Sequence, residues 1–173
     1  MPQKNHTLLI RSFAEAAKHN SDIELRIYGV GPEQERLQQL INVLHLEGRC
    51  CLCGRNNDMQ AALMETDLFI LSSDYEGMPN VLMEAMAVGI PCISSDCRTG
   101  PKTLIKSGEN GLLFKAGDGQ DFVKKLIWAL DHADEMNQMG RNARMSIMQN
   151  YNIDSICENM QRILETVEGE RKY

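Results

Sequence analysis

No apolar stretch in this 173-residue sequence reaches the ~20 residues that a membrane-spanning helix requires. Nothing at the N-terminus has the charged, apolar and small-residue layout of a secretory signal. The six cysteines, Cys50, Cys51, Cys53, Cys92, Cys97 and Cys157, include one C-x-x-C spacing, Cys50 to Cys53, but no second pair, and no histidines cluster beside them. That spacing argues against a zinc site. These cysteines are expected to be the reduced thiols of a cytoplasmic protein, with Cys50 to Cys53 in a buried strand where a thiol acts as a small apolar group. Positive charge is also short: the net charge of −6 argues against nucleic acid or acidic lipid held by overall attraction. Gly29-Val30-Gly31 lacks the third glycine of a dinucleotide fingerprint, so a structural turn is the expected reading. No Asp-x-Asp pair is present to hold a divalent ion on phosphates.

What remains is the composition of a soluble globular protein, 43% hydrophobic and 24% charged, long enough to bury a full core in one domain. Helical and extended patterns alternate. His6 to Lys18 has helical apolar spacing, and Ile23 to Tyr28 alternates with period two before Gly29. Pro32 opens a helix to about Leu44, and Arg49 to Cys53 is a second strand. Met59 to Glu65 is a short helix, and Leu68 to Leu71 a third strand. Pro79 to Val88 is an apolar helix ending at Gly89, followed by a strand at Pro91 to Ser94. A helix from Pro101, a small strand at Leu112 to Phe114 and three helical stretches from Phe122 complete the chain. Such alternation predicts βαβ units: a mostly parallel sheet with helices on both faces. Ligands of such sheets bind beyond the carboxyl ends of the strands, which selects the loops after Tyr28, Cys53, Leu71 and Ser94.

The loop after Leu71 carries the chemistry. Gly77 permits backbone geometry that other residues avoid, and Pro79 suits the first position of a helix. The result is a helix start whose free N–H groups favour phosphate. Glu84 stands in that apolar helix with no basic residue one turn away. If buried there, it would need partners such as sugar hydroxyls. Eight residues of ideal helix separate Glu76 and Glu84 by ~12 Å, the scale of a sugar nucleotide. Read from the pattern alone, Glu84 on a solvated edge and Glu76 as an ordinary loop acid are equally open. Most of the 11 methionines, including Met78, Met83 and Met86 near this loop, are expected to fill the core.

The string from Ser72 to Pro101, SSDYEGMPNVLMEAMAVGIPCISSDCRTGP, resembles the donor-binding half of family 4 (group 1) retaining glycosyltransferases, which have the GT-B fold. Their signature is two glutamates with seven residues between, matched by Glu76 and Glu84. The resemblance runs in order from Lys4 to about Phe114, and includes GVGP at 29–32 and the late GENGLLF. It implies a Rossmann-like parallel sheet forming the C-terminal half of a GT-B enzyme, with the first strand of that half expected upstream of Met1. Residues 1–173 then form a single nucleotide-sugar-binding domain, a fragment of a two-domain enzyme whose N-terminal acceptor domain is missing.

The resemblance further implies that Glu76 lies against the transferred sugar and Glu84 holds the ribose. The backbone around Gly77, Met78, Pro79, Asn80 and Val81 would face the hexose and distal phosphate, although Pro79 has no N–H. Lys4 would neutralise the diphosphate, and Gly54 and Arg55 mark where the base rests. The donor is a UDP- or GDP-type sugar, with no cofactor and no metal required. Arg98 could reach a phosphate from a neighbouring loop. The family's arginine ahead of the lysine is absent, as is the acidic residue common around Lys102 or Thr103. The fragment alone is expected to be inactive. The full hexosyl- or N-acetylhexosaminyltransferase would be cytoplasmic, with peripheral association at the inner face of a membrane left open. A non-catalytic sugar-nucleotide-binding module and a related GT-B epimerase remain alternatives.

Overall fold

The computed structural model describes residues 2–157 and 160–162. A 3-10 turn at Pro2–Lys4 leads into α1 (His6–His19), then β1 (Leu25–Tyr28), α2 (Gln34–Val43), β2 (Cys50–Gly54), α3 (Met59–Met64) and β3 (Phe69–Leu71). There follow α4 (Asn80–Val88), β4 (Cys92–Asp96), α5 (Pro101–Leu104), β5 (Leu112–Lys115), α6 (Gly119–Asp131) and α7 (Ala133–Asn150). The alternation expected from the sequence is present, and all strand pairs are parallel.

The ladder is divided. β1 pairs with β2, while β3, β4 and β5 form a separate three-stranded ladder in that order. The expected single sheet is therefore two, separated between β1 and β3. In a doubly wound sheet of order 3-2-1-4-5-6 that position belongs to the first strand. Both ladders nonetheless share one core. Leu25 and Ile27 of β1 cluster with Ile93, Leu112 and Phe114, beneath α1 and α6. Phe114 stacks on Phe122 of α6 with ring centroids 4.5 Å apart.

Strand periodicity sorts the second core. Ile93 enters the first cluster, whereas its neighbour Cys92 points to the opposite face with Leu71, Leu82, Ala85, Met86, Ala143 and Ile147. Helices thus cover both faces, α1 and α6 on one and α4 and α7 on the other.

Several local expectations change. β2 is an edge strand, and only Cys50 is buried; Cys51 and Cys53 are exposed. An edge strand with one covered face alternates burial, which three cysteines within four residues conceal. Burial pushes the Cys50 thiol up to about 12, and it holds Cys92 well above the thiol range too. α2 begins at Gln34, two residues beyond Pro32. The helix from Pro101 is a single turn. Among the methionines, Met86, Met136 and Met139 are buried, while Met64, Met78, Met145, Met148 and Met160 are exposed. Met59 and Met83 pack partly buried against the core, so the described methionines divide between core and surface.

α4 stops as expected at Gly89, in the left-handed region with φ 87°. There α7 comes very close: a Cβ on Gly140 would lie 2.3 Å from the Gly89 carbonyl oxygen. Alanine normally improves a helix interior by ~1 kcal/mol over glycine, but overpacking costs ~1–3 kcal/mol. Gly140→Ala should therefore destabilise the protein, lowering the midpoint of thermal unfolding followed by circular dichroism by a few degrees.

Candidate functional site

The site forms where the chain's first residues meet the loop between β3 and α4. Asp74 donates its N–H to the Gln3 carbonyl at 2.9 Å, and Ser72 Oγ donates to the Lys4 carbonyl at 2.7 Å. The Gln3 side-chain amide donates to the Tyr75 carbonyl at 2.9 Å. Asn5 joins both elements through one amide. Its oxygen accepts the Leu8 N–H and caps α1, while its Nδ2 donates to Asp74 Oδ1 at 2.7 Å. This requires the left-handed conformation at φ 47°, ψ 46°, which asparagine tolerates better than most residues. Lys4 is consequently a fixed residue, held at its carbonyl by Ser72 and at its Nζ by Glu76.

Glu76 is the centre of this arrangement. Only 8% of it is exposed. Its Oε1 accepts from Lys4 Nζ at 2.6 Å and from Ser73 Oγ at 2.6 Å. Ser73 is itself fully buried, and its carbonyl accepts from Ser95 Oγ of β4 at 2.5 Å. From the neighbouring loop, Thr99 Oγ1 donates to the Glu76 backbone carbonyl. Among the described residues no donor is recorded on Oε2, so the carboxylate is clamped through one oxygen and presents the other.

α4 starts one residue later than expected: Pro79 is the cap, at φ −80° and ψ 90°, and Asn80 is the first helical residue. The Pro79 carbonyl accepts from Leu82 and Met83. Among the described residues, no acceptor takes the N–H of Gly77, Met78, Asn80 or Val81. Gly77 does not adopt a positive φ, so conformational freedom is not its purpose. A Cβ built on it meets nothing within 4 Å, which places it against open space.

Glu84 overturns one premise. It is exposed, so it bears no burial cost that partners must offset. It lies one turn into α4 and makes no hydrogen bond to Glu76. Gly54 and Arg55 fall at the end of β2, on the carboxyl edge. Gly54 adopts φ 67°, its carbonyl accepts the Gly29 N–H at 2.6 Å, and Arg55 is exposed. No hydrogen bond links them to the Glu76 loop. Arg98 is exposed beside Thr99.

Ser73, Ser95, Thr99, Gly100 and Asn5 were not singled out by sequence. The one usable signal was Gly100 before Pro101, a pair that marks a constrained turn. Two surface grooves, of ≈ 830 Å³ between α1 and the start of α6 and ≈ 760 Å³ near the amino ends of β3 and β4, lie away from Glu76.

These features define a Rossmann-like α/β domain whose carboxyl edge offers a clamped carboxylate beside unpaired helix-start amides. Residues 1–146 match the model for glycosyl transferases group 1, and the chain belongs to that family. It is 31% identical over 161 residues to an uncharacterized glycosyltransferase of Haemophilus influenzae, covering 93% of this chain and 45% of the relative. It is 33% identical to the UDP-Gal:alpha-D-GlcNAc-diphosphoundecaprenol alpha-1,3-galactosyltransferase of Escherichia coli, over 88% of this chain and 40% of that protein. A crystal structure of a TarM variant from S. aureus, in complex with fondaparinux, alpha-GlcNAc-glycerol and UDP, superposes with a TM-score of 0.88 at 26% identity. That match covers 94% of this chain and 33% of TarM. The chain therefore spans less than half the length of these relatives, and its structural neighbours are GT-B glycosyltransferases.

Two tests follow from the geometry. Lys4→Met removes one charged donor from a mostly buried carboxylate, and with Lys4 itself partly solvated it should lower stability by about 1 kcal/mol in urea unfolding. His6, on the first turn of α1, is held below its usual 6.5 by burial first and then by the positive charge of the amino terminus, with Glu33 opposing and Lys4 adding least. The unfolded chain then binds more protons below pH 6.5, so this stability is complete above 6.5 and is lost as pH falls through the folded value. Over that interval His6→Gln should lose less stability than the parent protein in matched unfolding curves.

Proposed function

We propose that the chain is the donor-binding domain of a retaining glycosyltransferase, one half of a two-domain enzyme. It transfers a hexose or N-acetylhexosamine from a UDP- or GDP-type sugar to an acceptor glycan or lipid-linked glycan. The observation that carries this reading is the clamp on Glu76 beside unpaired amides at the start of α4. Glu76 presents Oε2 to the transferred sugar. The N–H groups of Gly77, Met78, Asn80 and Val81 meet the distal phosphate and the hexose, while Pro79 shapes the turn. Glu84, exposed one turn further on, takes the ribose hydroxyls, and Gly54 and Arg55 adjoin the base. The TarM complex with UDP and the donor and acceptor named for the E. coli relative support this assignment.

Transfer leaves negative charge on the departing nucleoside diphosphate. Fixed donors are most effective there because they need not reorganise as the charge develops. Lys4 and the helix start supply them in a scheme that uses neither metal nor cofactor. The gap between β1 and β3 falls where the strand order 3-2-1-4-5-6 has its first strand, and in this reading the acceptor is held by groups outside this domain. A cytoplasmic setting for the enzyme fits its six free cysteines.

Calorimetry with UDP and GDP tests the reading. The present chain should bind one of them weakly and turn over no donor. Glu84→Ala should weaken that binding about tenfold and leave inorganic pyrophosphate unaffected. Absence of affinity for both nucleotides, or equal losses for UDP and pyrophosphate, would sink the assignment.

A further inference from the structure

The peptide units that offer N–H groups at this site are aimed from outside it. The loop between β4 and α5 touches the Glu76 loop at two carbonyls in succession. Thr99 Oγ1 donates to the Glu76 carbonyl. Gly100 packs against the next one, so closely that a Cβ there would lie 2.1 Å from Gly77 O and 3.1 Å from Pro79 Cδ. Gly100 also has φ 89° and ψ −85°, a conformation that L side chains avoid. Space and dihedral angle both demand glycine.

A trans peptide points its C=O and N–H in opposite directions, and the described residues contain no cis bond. Fixing the Glu76 carbonyl toward Thr99 therefore turns the Gly77 N–H away from the β4–α5 loop. Fixing the Gly77 carbonyl against Gly100 turns the Met78 N–H the same way. No acceptor among the described residues takes either N–H, and a Cβ on Gly77 would meet nothing within 4 Å, so open space adjoins this stretch.

We propose that Thr99 and Gly100 are positioning residues that set the Gly77 and Met78 N–H groups as a paired donor for the distal phosphate. This rests on the donor-site reading above and adds a division of labour to it. Lys4 and Ser73 hold the Glu76 side chain from one side, and Thr99 and Gly100 hold the main chain from the other. Thr99 is exposed, so its hydroxyl can be removed without opening the core.

The test uses the isotopically labelled chain with UDP and inorganic pyrophosphate. Thr99→Val, an isosteric change, should weaken both ligands about fivefold, and Thr99→Ser should restore them. Residual dipolar couplings should show the Gly77 and Met78 N–H vectors reoriented in Thr99→Val and native in Thr99→Ser. Gly100→Ala should move both vectors further; if it does not fold, Thr99→Val carries the test alone. Unchanged vectors in Thr99→Val overturn the proposal, as does unchanged affinity with displaced vectors. If the parent chain binds neither ligand, the donor reading fails and the vectors alone decide whether Thr99 and Gly100 aim these amides.

Discussion

A nearly buried carboxylate needs donors, and the supply of donors to Glu76 organises the surrounding structure. Lys4 reaches it from the start of the chain, Ser73 from within its own loop, and Thr99 contacts its carbonyl from the loop after β4. Each donor is in turn fixed by something else. Asn5 caps α1 and ties it to Asp74, while Ser95 holds Ser73. Three segments thus meet at one residue, and the two donors on its side chain matter because leaving an ionised group buried without partners costs several kcal/mol. The fold brings them together by ordinary means, since the carboxyl ends of parallel strands share an edge.

Much of this was legible from residue patterns. The helices at 6–19 and 80–88 follow apolar spacing, and Gly89 ends the second where a left-handed residue is required. The order of strands and helices also emerged correctly, because local periodicity reports each element independently of its neighbours. Burial was less accessible. Cys51, Cys53 and Glu84 sit in apolar surroundings in the sequence and are exposed in the structure. Whether a face is covered depends on what packs there, which periodicity does not encode.

The candidate site divides along the same line. Glu76, Lys4 and the Gly77–Val81 backbone could be named because they stand in a recognisable string of residues. Thr99 and Gly100 could not, since their importance lies in a contact with carbonyls more than twenty residues away. A hydroxyl and a glycine in a loop carry no pattern of their own. Gly77 shows the converse: the expectation of unusual backbone geometry there is not met, since its φ is not positive and a Cβ on it would meet nothing within 4 Å.

The division of the sheet bears on stiffness. Gly54 and Arg55 end one ladder, and Glu76 follows the first strand of the other. No backbone hydrogen bonds bridge the two ladders, so side-chain packing beneath α1 and α6 sets the distance between these loops. Dispersion contacts resist compression strongly but yield to sliding more readily than a row of aligned hydrogen bonds. The ruler between the two ends of the carboxyl edge is thus an elastic one, and its spring constant resides in Leu25, Ile27, Phe114 and the helices that cover them.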